Sequence, residues 1–334
     1  MKRTTLIVCL FLLAVLIIPM AIVLPFQHRS DPLKLPIIGK TIGSSHAESS
    51  GTDPAITVSV YRSSSEKTEH LDLDHYLIGV VGSEMPAKFP IEALKAQAFA
   101  ARTYILARMI QNPDVRVTDT VQNQVYHSPA EFKRLWGKDY QWRMNRVTRA
   151  VEQTRNEVIT YRGSLISPAF FSTSNGRTEN AQNYWENAVP YLRSVASPWD
   201  KSSPKFYNTK KIPAADVQNA LGITLGEAGG EIGTVLRKTP TGHVAAYRIN
   251  GKTFSGRSIR EKLALSSTDF TLVRSGDQVI ARTIGSGHDI GMSQYGAAGM
   301  ARSGKTAAQI VTHYYSGTKV TTLTLKTQTA LARK

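Results

Sequence analysis

Hydrophobic patterning divides the chain at residue 24. From Leu6 to Leu24 every position except Pro19 is apolar, and Lys2 and Arg3 precede the run. Its 19 residues approach the roughly 20 that a helix needs to cross a bilayer. The basic flank predicts a cytoplasmic N-terminus and a remainder outside the membrane. The competing reading is a cleaved signal peptide. Pro25-Phe26-Gln27-His28-Arg29 stands where a small-residue cleavage site would follow, however, and Ser45-His46-Ala47 comes too late. Residues 1–24 are therefore expected to form an uncleaved anchor. Residues 25–54, rich in Pro and Ser and without helical period, are expected to form a juxtamembrane stalk.

Beyond the stalk, short periodic segments alternate. Ala55–Tyr61 alternates as a strand does. Asp72 can cap a helix in which Leu73, Tyr76, Leu77 and Val80 share one face, with Glu84 closing that apolar stripe before Pro86. Pro90 opens a second helix to about Gln111, small-faced through Ala93, Ala96, Ala98, Ala100 and Ala101. Residues 115–125 read as extended, and Ser128-Pro129-Ala130-Glu131 as a capping box. A helix is expected over 145–154 and a hairpin over 157–161 and 164–171, turning at Arg162-Gly163. A second portion begins near Ile212, with helices over 214–221 and 258–265 and a hairpin at Asn250-Gly251. Strands over 270–274 and 278–284, a Gly-rich segment, a helix over 306–315 and a strand over 318–324 complete it. This irregular alternation predicts an α+β fold of mixed short strands and helices. Two lobes, 55–205 and 206–334, are expected to form a cleft between them.

Composition narrows the chemistry. Apolar residues make up 41% and charged residues 20%, enough for a buried core. Cys9 is the single cysteine, which excludes a disulfide, a thiol nucleophile or a thiolate-ligated zinc after residue 24. The chain carries 41 Lys and Arg against 25 Asp and Glu, a net charge of +16. Outside a membrane such a surface suits anionic wall polymers or lipid head groups better than nucleic acid; a generic solubilising surface fits equally well. No phosphate loop, dinucleotide fingerprint or His-Glu-x-x-His motif occurs.

Three segments can carry chemistry. Glu84, in Gly79-Val80-Val81-Gly82-Ser83-Glu84-Met85-Pro86, sits on an apolar stripe, where lost hydration raises a carboxyl pKa. An acid still protonated near neutrality can donate to the leaving oxygen of a glycosidic bond. The plainer reading pairs Glu84 with Lys88, Lys95 or Arg102. In Gly285-Ser286-Gly287-His288-Asp289-Ile290-Gly291-Met292-Ser293-Gln294-Tyr295-Gly296, four glycines would admit a ligand close to the backbone, or make a tight structural loop. Phe170–Gly176 reads as a strand running into a polar turn, and Tyr184 and Trp185 beyond it could stack on sugar rings or be half-buried aromatics.

Taken together, Glu84-Met85-Pro86, Glu92–Tyr104, Phe171–Gly176 and Gly287–Ala297 resemble the stage II sporulation protein D family in order and spacing, over about residues 55–325. The resemblance implies a membrane-anchored lytic transglycosylase of endospore formers. Such an enzyme cleaves peptidoglycan glycan during engulfment, preferably after an amidase has removed the stem peptides. It implies Glu84 as the catalytic acid, and a cleft lined by Arg102, Tyr104, Ser172, Ser174, Gly176, His288, Gln294 and Tyr295, to which Tyr184 adds a stacking ring. The implied partners are glycan strands, the wall amidase stage II sporulation protein P and the membrane protein stage II sporulation protein M, with no nucleic acid. The implied location is the mother cell's engulfing membrane, crossed once, with the catalytic region outside. No cofactor is implied. Some relatives bind zinc through Cys and His near the region of Asp119–His127. Val121 and Asn123 stand there in this chain and leave His127 without a thiol partner, so no zinc site is expected. Relatives with this domain also act as amidase enhancers, which implies the alternative of a glycan-binding activator that cuts nothing. A hydrolytic muramidase would need a second carboxylate about 5–9.5 Å from Glu84, for which Asp289 is a candidate.

Overall fold

The computed structural model describes residues 56–324 apart from 186, 227 and 228, together with residue 327. The expected anchor and stalk lie outside the described residues. No helix among the described residues is long and apolar enough to cross a membrane.

The alternating stretch forms β1 (Thr57–Arg62), which returns antiparallel through β2 (Lys67–Asp72). Lys67–Asp72 holds one apolar residue, Leu71, so pairing with β1 rather than its own pattern makes it a strand. Asp72 caps α1 (Leu73–Glu84) by accepting the N–H groups of Asp74 and His75. Pro86 disfavours helical backbone at the residue before it, and Met85 duly turns extended. Pro90 then caps α2 (Ile91–Gln111). Only β3 (Arg116–Thr118) of the expected extended stretch is a strand, parallel to β1. The Ser128 capping box with Glu131 opens α3 (Pro129–Trp136). α4 (Tyr140–Glu152) starts five residues earlier than expected, because polar Gln141, Arg143 and Asn145 mask its first turns. β4 (Glu157–Tyr161) and β5 (Ser164–Leu165) make the expected hairpin. Pro168, with no N–H to give a ladder, separates them from β6 (Phe170–Phe171).

α5 (Gln182–Trp185) follows, then β7 (Tyr207–Pro213), α6 (Ala214–Leu221), β8 (Gly230–Glu231), β9 (Thr234–Lys238) and the hairpin β10 (Val244–Ile249) and β11 (Lys252–Phe254). The chain continues through α7 (Gly256–Lys262), β12 (Phe270–Ser275), β13 (Gln278–Ile284), β14 (Met292–Ser293), α8 (Gln294–Arg302), α9 (Ala307–Tyr314) and β15 (Lys319–Thr322). The fold is α+β. Its small sheets order as β2-β1-β3, β11-β10-β9, β7-β13-β12-β8, β14-β6 and β15-β4-β5.

Two apolar cores organise these elements. One gathers side chains from Ile56 to Leu192 and again from Ile290 to Leu323; the other runs from Ile212 to Ala281. The Gly-rich segment was expected with the second lobe. Ile290 and Met292 instead belong to the first core, because β14 pairs parallel with β6. At the centre of that core lies α2, in which Ala93, Ala96, Ala98, Ala100 and Ala101 are wholly buried. Without bulk on that face, α1, α4, α8, α9 and β4 all approach it.

Candidate functional site

Glu84 occupies the last turn of α1, beside a cavity of about 450 Å³. Val125 N–H donates to Glu84 Oε1 at 2.9 Å. The Glu84 main-chain carbonyl, one of the orphan acceptors at a helix end, accepts Gln294 Nε2 at 2.9 Å. Gln294 also reaches Gln97 Oε1 at 3.3 Å. One amide thus fastens the Gly-rich segment to α1 across 210 positions of sequence. Burial raises the Glu84 carboxyl above the ordinary glutamate range, partly offset by the Val125 N–H. The plainer pairing does not form: Lys95 bonds Glu92, Arg102 points elsewhere, and no basic group lies within ion-pair distance of Glu84 among the described residues.

The cavity brings together Glu84, Ser172, Gln294 and Tyr295 from the expected set, with Trp136, Trp142, Arg143, Lys88 and Lys205 on its wall. Tyr295 meets Phe89 edge-on at 5.0 Å, and its N–H donates to Ser172 O at 3.0 Å. Trp136 is held by stacking on Phe132 at 4.1 Å. Gly82 makes this possible, since a Cβ there would lie 2.8 Å from the Phe132 ring and 3.1 Å from that of Trp136. Trp136, Trp142, Arg143 and Lys205 escaped the sequence reading, and Lys88 entered it only as a possible ion-pair partner of Glu84. The signal available was the small residue Gly82 on α1, with an aromatic-rich pair of helices downstream. Of residues 206–334 only Gln294 and Tyr295 line the cavity, and both pack with the first core.

Six expected cleft residues are elsewhere. Arg102 is 1% exposed and donates to the carbonyls of Val151, Thr154 and Glu157. Burial lowers its guanidinium to about 10, still charged, with Asp74 supporting it from 3.9 Å. It ties α2 to the end of α4, a structural task its charge did not reveal. Tyr104 accepts Asn123 Nδ2 at 3.0 Å outside the cavity. Ser174 donates to buried Asp200 at 2.6 Å, and Ser293 donates to the other Asp200 oxygen at 2.6 Å. Asp200, unremarked in the sequence, therefore locks the polar turn to the N-cap of α8. Gly176, at φ +112°, accepts Ser197 N–H through its carbonyl. Tyr184 accepts Arg260 Nη1 at 3.0 Å and packs near His288 and Trp185. His288, pushed down to about 4 by burial and Arg260, accepts Ile290 N–H on Nδ1. These residues position the walls without lining them.

Asp289 supplies no second carboxylate. It is fully buried outside the cavity, neither oxygen accepts a hydrogen bond, and His243 Nδ1 lies 3.9 Å from its Oδ2. Burial, with Asp200, Glu179 and Asp269 nearby, holds its carboxyl well above the ordinary range. Among the described residues, Glu84 is the only carboxylate on the cavity wall. His127 bonds Ser83 Oγ through Nδ1 at 2.8 Å. No cluster of three metal-ligating His, Cys, Asp or Glu side chains occurs among the described residues.

The Arg102 assignment carries a stability prediction. Arg102→Met should destabilise the protein by about 3 kcal/mol or more, because buried carbonyls lose their donor. Urea denaturation of the two proteins measures it; a loss below about 1 kcal/mol would count against this structural role.

A family model described as "Stage II sporulation protein" matches residues 61–161, a stretch that includes Glu84 and α2. Stage II sporulation protein D of Bacillus subtilis (strain 168) is 44% identical over 330 residues, 96% of either chain. Its counterpart in Bacillus amyloliquefaciens is 44% identical over 318 residues, 92% of either chain. An amidase enhancer of Bacillus subtilis (strain 168) is 28% identical over 298 residues, 73% of this chain and 40% of its own length.

Proposed function

The chain belongs to the stage II sporulation protein D family, and from that premise we propose that it is a peptidoglycan lytic transglycosylase. On this reading it is held at the cell membrane by residues 1–24 with its catalytic region outside, and acts during engulfment alongside a wall amidase, stage II sporulation protein P, and stage II sporulation protein M. The bond cut is that between N-acetylmuramic acid and N-acetylglucosamine, and the observation that supports it is a single half-buried carboxyl, Glu84, on a cavity wall with no second acid beside it among the described residues.

One carboxyl can serve such a reaction twice. Protonated Glu84 donates to the linking oxygen as positive charge develops on the muramic ring. The resulting carboxylate then takes the proton of that ring's own C6 hydroxyl, whose oxygen attacks C1. The nucleophile is part of the substrate, so its effective concentration is high and no carboxylate is needed to activate water. The hydrogen bond from Val125 leaves the second Glu84 oxygen for the proton. Trp136, Trp142 and Tyr295 offer flat apolar faces to sugar rings, while Ser172 and Gln294 offer polar groups.

Mass analysis of the products from stem-free strands tests the reading. New ends should be 1,6-anhydro-muramic; reducing muramic ends would mark a hydrolase instead. The pH profile adds a second expectation. The donor form of Glu84 is complete below its pKa and disappears as pH rises through it. The alkaline limb of kcat/KM should therefore fall with a midpoint above the ordinary glutamate range, as the burial of Glu84 dictates. A limb within that range would detach the rate from this carboxyl.

The amidase enhancer relative favours a second reading, in which the cavity binds glycan and the chain stimulates a partner amidase without cutting. A Glu84→Gln protein that supports wall remodelling fully would favour it.

A further inference from the structure

Three basic side chains, Lys88, Arg143 and Lys205, line the cavity that holds Glu84. Arg143 already has partners. Its Nη2 donates to Asp139 at 2.7 Å, and its guanidinium lies 5.3 Å from the Trp142 ring centre and 5.9 Å from that of Trp136. Lys88 and Lys205 differ. Both are exposed, and neither ammonium group has an ion pair or side-chain hydrogen bond among the described residues. The one acid on the wall, Glu84, forms an ion pair with neither. Two uncommitted cations beside one acid that pairs with neither leave the cavity wall with more positive than negative charge, which an incoming anionic group can balance.

This inference rests on the glycan reading above. N-acetylglucosamine is uncharged. The muramic residue carries a lactyl ether whose carboxyl is an amide while a stem peptide is attached and a free carboxylate once the peptide is gone. We propose that Lys88 and Lys205 bind that free lactyl carboxylate at the cleavage site, so that loss of the stem peptide becomes a condition of productive binding. Selection then depends on charge and not only on the room a peptide would need. Each charge-assisted hydrogen bond should be worth about tenfold to a hundredfold in affinity.

Methylamide caps on the lactyl carboxyl separate charge from bulk, because they remove the charge and add one small group. Wild-type protein should cleave uncapped strands at least about thirtyfold better, in kcat/KM, than capped ones. In Lys88→Gln/Lys205→Gln that ratio should fall to about threefold or less, mainly through a higher KM on uncapped strands; Lys88→Arg/Lys205→Arg should keep it above tenfold. Calorimetric binding of the same two strands to Glu84→Gln gives a readout that needs no cleavage. Tighter binding of uncapped strands there, with no cleavage of either by wild type, would sustain this inference and defeat the transglycosylase reading. Equal binding and cleavage of both strands, or a ratio unmoved by the double Gln replacement, would overturn the inference and leave that reading standing.

Discussion

Glu84→Gln should lower strand cleavage by at least about a thousandfold while glycan affinity stays within about threefold of wild type. The amide keeps the shape of the side chain and can still accept the Val125 N–H through its oxygen. The main-chain carbonyl that receives Gln294 is untouched, so the Gly-rich segment stays docked. What the amide cannot do is give a proton to the linking oxygen or take one from the C6 hydroxyl. Because one group serves both steps, no neighbouring carboxylate can stand in for half of the reaction; the cavity wall offers none among the described residues. The measurement is single-turnover cleavage of stem-free strands, with binding followed separately by calorimetry. Cleavage within tenfold of wild type would move the acid to another group. A parallel collapse of binding would mean that Glu84 shapes the site rather than reacting in it.

The place of the Glu84 carboxyl was legible because three local signals agreed, a helical stripe, a proline stop and an acid at the end of the stripe; its role as an acid came from the family resemblance. The elements with strong internal signals were legible for the same reason. Asp72 caps α1, Ser128 and Glu131 form a capping box, and the Asn250-Gly251 turn joins β10 to β11. Long-range pairings were not. β2 is a strand because β1 lies beside it, and β6 leaves its apparent hairpin because β14 offers a parallel partner. The site residues divide along the same line. Arg102 and Ser174 have side chains that chemistry could use, but the fold surrounds them with main-chain carbonyls and with Asp200. Trp136 reaches the cavity because α3 sets its rings against Gly82 of α1, and Trp142 because α4 packs on α1, which their own neighbourhoods in sequence do not encode. The Gly-rich motif was open to two readings, room for a ligand or a tight structural loop, and at Gly291 the structure supports the second.

Its glycines admit the chain's own backbone. Gly291 has φ +80°, and a Cβ there would stand 2.1 Å from the Ala169 carbonyl oxygen and 3.2 Å from the Tyr315 ring. That oxygen cannot step aside cheaply, because it accepts both Met292 N–H at 3.0 Å and Tyr315 Oη–H at 2.9 Å. Gly291→Ala must therefore break the start of the β14–β6 pairing or push β14 outward. Either movement carries Ser293 away from Asp200 and Gln294 away from Glu84, two contacts that fasten the cavity wall. A stability loss above about 4 kcal/mol is expected, along with loss of cleavage. Gly304 supplies the control. It has the same φ of +80° with nothing within 4 Å of its Cβ position, so Gly304→Ala incurs only the left-handed backbone penalty of about 1–2 kcal/mol. Urea midpoints of the two variants separate strain from collision. Equal losses would mean that backbone conformation alone requires glycine at 291; a much larger loss at 291 would show that the close approach of Ala169 holds the Gly-rich segment against Glu84.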